Sequence, residues 1–257
     1  MYAFLYLPIL VVVIYAFNDS RLVAVWRGFG LRWWGEAWRD ATIRKALFLS
    51  LWTAGANAGL AIVLGTAAAL GLRNVGRRTR TAFDAFMYMT LVVPEIVIAI
   101  GSLLFFATVA PQVLGPPAIV ITHAVFNTSV VTLICRARLA GMDRSLEEAS
   151  SDLGASRWST FRQITLPQLA PAIVAGGLLA FTFSFDDVVL STFVTNAGAT
   201  TLPLRVFSEL RFGLTPLVNV VATTMLSITL TIIVVAQLVL RRGAKTSTEP
   251  VPGVLGG

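Results

Sequence analysis

Three carboxylates fall inside otherwise apolar stretches: Glu95 and the adjacent pair Asp186 and Asp187. On insertion scales an acidic residue near the centre of a membrane helix costs about 2.5 to 3.5 kcal/mol, so each needs a partner, a water-filled cavity or a role. Neighbours on a continuous helix point about 100° apart, so Asp186 and Asp187 are not expected to face one pore. One of them can cap a helix break or pair with Arg205 or Arg211. Phe181, Phe183 and Phe185 precede the pair and can supply aromatic walls. His123 is the lone imidazole, and with no second ligand at metal spacing it reads as a packing histidine. No nucleophile and base constellation stands out, so neither catalytic nor metal residues are assigned. A phosphate-cradling Gly-x4-Gly-Lys-Ser/Thr loop is also missing, since Lys45 follows Arg44 and Lys245 follows Ala244.

The elements that would position these groups are membrane helices. Of 257 residues 56% are hydrophobic and 13% charged, with mean hydropathy +0.79, against about 25% charged in an ordinary soluble domain. Disorder and a single soluble core are both excluded. Met1–Asn18 is uncharged and lacks a basic leader, which predicts a retained anchor rather than a cleaved signal. Ala46–Leu72 is a second span. Ala85–Cys135 carries one charge, Glu95, and is too long for one helix; Pro111, Gly115, Pro116 and Pro117 divide it in two. Ala172–Val194 and Pro216–Leu240 bring the expected number to six. Glu95, about 15 Å beyond Ala85 at 1.5 Å per residue, is expected near mid-membrane, with Pro94 kinking the helix beside it.

Six alternating spans sort the basic residues into two sets. One holds Arg73, Arg77, Arg78 and Arg80, then Arg136, Arg138, Arg144, Arg157 and Arg162, then Arg241, Arg242 and Lys245; the other holds Arg21, Arg27, Arg32, Arg39, Arg44, Lys45, Arg205 and Arg211. The larger set is expected inside, which puts both termini in the cytoplasm. These charges orient a membrane chain and do not argue for a nucleic-acid partner. Trp26, Trp33, Trp34 and Trp38 cluster in the first external connection and are expected along the headgroup layer. Gly55, Gly59, Gly65, Ala69 and Gly71 on the second span are expected to let helices approach closely. Cys135, the single cysteine, is expected to be buried and inert.

The connection 136–170 is patterned. Ser145 and Glu148 have capping-box spacing; Leu146, Ala149 and Leu153 form one apolar stripe; Gly154 can end the helix. A second short helix is predicted from Ser156, with Trp158, Phe161 and Ile164 along one side, interrupted at Pro167 and Pro171. Apolar stripes that the bilayer does not bury point to docking on another protein.

Glu148, Ala149 and Ser150, then Gly154, then Ile164, Leu166 and Pro167 resemble the EAA loop of ATP-binding-cassette importer permeases, whose pattern is Glu-Ala-Ala, three residues, Gly, nine residues, Ile-x-Leu-Pro. Every spacing is kept, and Ser150 replaces the usual third-position alanine. Phe17-Asn18-Asp19-Ser20, Val93 to Val97, and Phe181 to Thr195 with Asp186-Asp187 are similar to permeases of the spermidine/putrescine type, second membrane subunit. The resemblance implies an all-α fold of six transmembrane helices, the type I importer permease fold, as one membrane domain over 1–257 with a cytoplasmic coupling loop at 136–170. It implies a multi-pass protein of a bacterial inner membrane that moves polyamines by alternating access. Glu148, Ala149, Ser150, Gly154, Ile164, Leu166 and Pro167 would couple to the ATPase. Glu95, Asp186, Asp187, Phe181 and Phe185 are candidates for the substrate path, because carboxylates at intervals along an aromatic passage suit ammonium groups separated by methylenes. Implied partners are a second homologous permease subunit in a heterodimer, two cytoplasmic ATPase chains that carry the ATP and Mg, an external substrate-binding protein, and the bilayer. The chain itself would bind no cofactor and be no enzyme. The alternatives are another small solute, or a secondary transporter in which Glu95, Asp186 and His123 relay protons.

Overall fold

The computed structural model describes residues 2–23, 25–196, 198–212 and 215–246. Met1 and 247–257, the ends of the expected 1–257 domain, lie outside the described residues, as do the side chains of Arg241, Arg242 and Lys245. Twelve α-helices are described: α1 (Tyr2–Tyr15), α2 (Arg32–Arg39), α3 (Ala41–Gly71), α4 (Arg77–Val92), α5 (Glu95–Val109), α6 (Pro116–Ala140), α7 (Ser145–Asp152), α8 (Arg157–Thr160), α9 (Leu166–Phe185), α10 (Val189–Val194), α11 (Leu202–Phe212) and α12 (Leu217–Thr246). A 3-10 turn at Pro111–Val113 joins α5 to α6, and a π turn at Phe161–Thr165 joins α8 to α9.

Among the described residues, four helical runs are long and apolar enough to cross a bilayer: α3, α6, Arg157–Phe185 and Leu217–Leu238. α4 and α5 together make a fifth, bent by 102°. α1 is apolar but, at 14 residues and about 21 Å, short of a bilayer core of about 30 Å. Six spans describe the chain only if α1 and the bent pair each count as one.

The boundaries depart from expectation for local reasons. α3 starts five residues before Ala46, because the Asp40 side chain accepts from the amides of Thr42 (2.7 Å) and Ile43 (3.3 Å) and caps it. The third span begins at Arg77, where Arg136 pairs with Asp84 through both guanidinium nitrogens. The fifth span does not run to Val194: it ends at Phe185, and α10 follows a three-residue break. At its other end Pro167 does not interrupt the helix. The π turn just before it re-spaces the backbone, and Pro167 falls on the second residue of α9.

The centre of the bundle is α3, α6 and α9, packed through small residues. Ala58, Ala61 and Ala69 meet Val131 and Cys135 of α6 and Ala172 and Ala180 of α9. A methyl group added at Gly65 would lie 2.7 Å from Val131 Cβ, and one at Gly177 would collide with Ile62 Cδ1. The Asn57 amide donates to the Ala180 carbonyl (3.0 Å). Gly55, Gly59 and Gly71 correct the expectation for that stripe, since nothing lies within 4 Å of an added Cβ there; an α-helix buries one side, and Ala54, Ala58, Ala61, Gly65 and Ala69 occupy it. Gly65→Leu is therefore expected to destabilise the bundle by about 1–3 kcal/mol, seen as a lower thermal midpoint in detergent, while Gly59→Leu leaves that midpoint unchanged.

A second core joins α2, α3, α11 and α12 around Phe185. Trp33 belongs to it: it is buried and its Nε1 donates to the Ser20 carbonyl (2.9 Å). It is thus a packing residue rather than part of an aromatic belt, whereas Trp26 and Trp38 are exposed. Cys135 is fully buried.

Candidate functional site

Two helix breaks meet at one cavity. α4 ends at Val92, and Pro94, which has no N–H to continue the helix, leads into α5 at the 102° bend. α9 ends at Phe185. Between these breaks lies a cavity of about 770 Å³ lined by Glu95, His123, Phe126, Asn127, Phe183, Asp186 and Asp187 among others. Its lining holds three carboxylates and no lysine or arginine. Asn127 Oδ1 is buried with no hydrogen-bond partner among the described residues. Asp186 also lines a second cavity of about 400 Å³ against Phe207 and Leu210 of α11 and Met225 of α12.

Asp186 and Asp187 both line the first cavity, contrary to the 100° expectation. The helix stops before them, so the rotation per residue of a continuous helix no longer applies. Their surroundings differ: Asp186 is exposed, whereas only 3% of the Asp187 side chain is. Asp187 Oδ1 accepts from the Leu190 amide (3.2 Å), and Oδ2 accepts from the Ser191 amide (2.8 Å) at the start of α10. His123 Nε2 lies 3.1 Å from the same Oδ2, and His123 Nδ1 lies 2.6 Å from Ser184 Oγ. An ionised carboxylate only accepts, so Nε2 carries the proton in that pair. Asp187 thus caps the break, one of the two readings left open above, and its partner is His123. Arg205 instead pairs with Glu209 at 3.0 Å.

His123 is 1% exposed with both nitrogens bonded, as a packing histidine requires. The carboxylate it meets is 64 positions away, which no spacing rule detects. Phe185 and Phe181 do not line the cavity. Phe185 is buried in the second core and Phe181 stacks on it at 5.6 Å, so the aromatic wall is Phe183 with Phe126 edge-on at 6.0 Å.

The patterned connection 136–170 sits at the other end of α3 and α6. Just before α7, Asp143 Oδ1 accepts from the Ser145 amide (2.9 Å); the capping box between Ser145 and Glu148 does not form. Gly154 ends it at φ +80°, in the left-handed region glycine enters without strain. Ser156 caps α8 through the Ser159 amide (3.2 Å). Glu148 and Ala149 are exposed, the Ser150 hydroxyl bonds that of Thr160 (2.9 Å), Ile164 and Leu166 are half-buried and Pro167 is exposed. Leu146, Leu153 and Trp158 stand out from the surface at 48%, 89% and 69% exposure.

Glu147 was not singled out by the sequence pattern. Its carboxylate accepts from Arg73 Nη1 (3.1 Å), Arg73 Nη2 (2.8 Å) and Thr165 Oγ1 (2.7 Å). The Arg73 hydrogen bonds hold its carboxyl below the ordinary value of 4.5 against the opposing effect of partial burial, and Thr165 adds to them. A lowered acid contributes stability above its ordinary value and loses it as pH falls through the lowered one, so this contact is intact at neutral pH.

The model of the family described as "Binding-protein-dependent transport system inner membrane component" matches residues 61–244. The chain belongs to this family. The permease is 44% identical over 232 residues to the putrescine transport system permease protein PotI of Escherichia coli K12, covering 88% of this chain and 82% of that one. It is 37% identical to the spermidine/putrescine transport system permease protein PotC of Haemophilus influenzae, covering 94% of each. Among solved structures the permease superposes on a bacterial ABC transporter that imports the polysaccharide alginate with a TM-score of 0.75, at 16% identity and 93% and 90% coverage. It superposes on the inward-facing MetNI methionine ABC transporter at 0.63, with 16% identity and 79% and 99% coverage. These show the all-α importer-permease fold.

Proposed function

We propose that the permease carries polyamines, small organic polycations such as putrescine, across a bacterial inner membrane by alternating access, driven by a separate ATPase. The observation that carries this reading is the cavity at the two helix breaks, where Glu95, Asp186 and Asp187 converge with no lysine or arginine in the lining. Broken membrane helices leave backbone polar groups free to line a substrate site. The Asn127 oxygen without a partner and the aromatic walls of Phe126 and Phe183 suit an ammonium group. Relatives named for putrescine and spermidine support the same cargo.

The exposed face of α7 and α8 is the proposed seat of the ATPase, with Glu148, Ala149, Ser150, Gly154, Ile164, Leu166 and Pro167 in the coupling loop, 136–170, of one membrane domain. Both termini then lie in the cytoplasm. A second homologous permease, two ATPase chains that carry the ATP and Mg, and an external binding protein complete the assembly; this chain holds no cofactor and no catalytic site. Coupling requires the ATPase to bind the inward and outward states with different strength. A proton-coupled transporter would relay protons through Glu95, Asp186 and His123, but without any need for ATP. The test is competition uptake by cells holding the full complex. Saturable putrescine uptake that spermidine competes is expected, and Asp186→Asn is expected to raise KM about tenfold, close to one charged hydrogen bond of 1.5–3 kcal/mol. Uptake of another solute with no polyamine competition would remove the cargo assignment.

A further inference from the structure

α7 has no buried residue, and its apolar side chains Leu146 and Ala149 are exposed, as is Leu153 just past its end. Hydrophobic burial, which holds most surface helices in place, therefore contributes little. Polar contacts must set its orientation. Among the described residues the side-chain hydrogen bonds from α7 to other elements are those of Glu147 with Arg73 and Thr165, and of Ser150 with Thr160 of α8. Arg73 lies two residues beyond α3, and Thr165 is buried at the last position before α9. One carboxylate thus joins α7 to two of the three central helices. Its bond to Arg73 is two-pronged, which fixes an angle as well as a distance.

We propose that Glu147 is the positioning residue that fixes α7 on α3 and α9, so that a displacement of α7 moves those two helices together. This rests on the proposed function, in which an ATPase displaces α7. It assigns Glu147 a role distinct from that of its neighbour Glu148, which is exposed and free to face a partner.

The test has two arms. In the first, the purified permease alone is treated with trypsin, with cleavage followed at Arg144 and Arg157, the exposed arginines that flank α7. Arg73→Glu and Glu147→Arg are each expected to speed cleavage there at least fivefold, the exchanged pair Arg73→Glu with Glu147→Arg to restore most of the protection, and Glu148→Ala to leave it unchanged. In the second arm, the full complex in proteoliposomes is assayed for putrescine uptake per ATP hydrolysed. The single variants are expected to keep the ATPase bound and hydrolysing while this ratio falls about tenfold, with recovery in the exchanged pair. Unchanged cleavage in both single variants would overturn the fixing role. Faster cleavage with an unchanged ratio would overturn the transmission role. A parent complex that moves putrescine without hydrolysing ATP would instead overturn the proposed function, and the trypsin arm would still decide whether Glu147 holds α7.

Discussion

Leu153→Asp combined with Trp158→Asp is expected to abolish ATP-driven uptake while the permease still folds and inserts. At 89% and 69% exposure these two side chains add little to the packing, Trp158 resting on Phe161 alone at 5.5 Å among the described aromatic rings, so removing them costs little folding stability. In the assembled transporter they would be the apolar centre of the contact with the ATPase. Charges placed there would lose buried apolar area and bring unpaired carboxylates into an interface, and central residues of this kind each carry 2 kcal/mol or more. About 30-fold weaker association per residue follows. The check is co-purification of the ATPase on a tagged permease together with uptake in the same cells. Normal association by the double variant would place the docking surface elsewhere.

His123→Ala is expected to be the most damaging change at the cavity. It removes the donor to Asp187 Oδ2 and the partner of Ser184 Oγ in one step. Asp187 would remain nearly inaccessible with only the Leu190 and Ser191 amides for partners. Stranding one member of a buried charged hydrogen-bonded pair costs about 3–5 kcal/mol, and the void left by the imidazole adds to this. The link from α6 to the α9–α10 break, which shapes the cavity floor, would open. A lower thermal midpoint and lost uptake are expected together, whereas Asp186→Asn, at an exposed position without such partners, changes KM and leaves the midpoint in place. His123→Gln, which keeps an N–H donor, should recover part of the stability. A His123→Ala protein as stable as the parent would show that Asp187 is held by α10 alone.

The contrast between those residues shows what the sequence makes legible. Apolar runs and loop charges are composition over a window, and they reveal a polytopic chain with its patterned loop because lipid imposes length and polarity limits on every helix. Gly154 and Ser156 were readable because left-handed backbone and N-capping are local demands of chain geometry. Ser145 misled because Asp143, two residues earlier, reached its amide first. Three contacts join residues far apart in the chain: His123 with Asp187, Arg73 with Glu147, and Arg136 with Asp84. No periodicity announces them. The path candidates Phe181 and Phe185 fell into the core for a related reason: knowing that a helix is apolar does not say which of its sides meets another helix.

The most direct measurement is putrescine uptake into proteoliposomes that hold the permease, its partner permease and the ATPase, with binding protein present, scored with and without ATP and with and without a proton gradient. Uptake that requires ATP, ignores the gradient and vanishes with Glu148→Lys is the expected result. Uptake by the permease alone under a proton gradient, with no nucleotide hydrolase co-purifying, would contradict it.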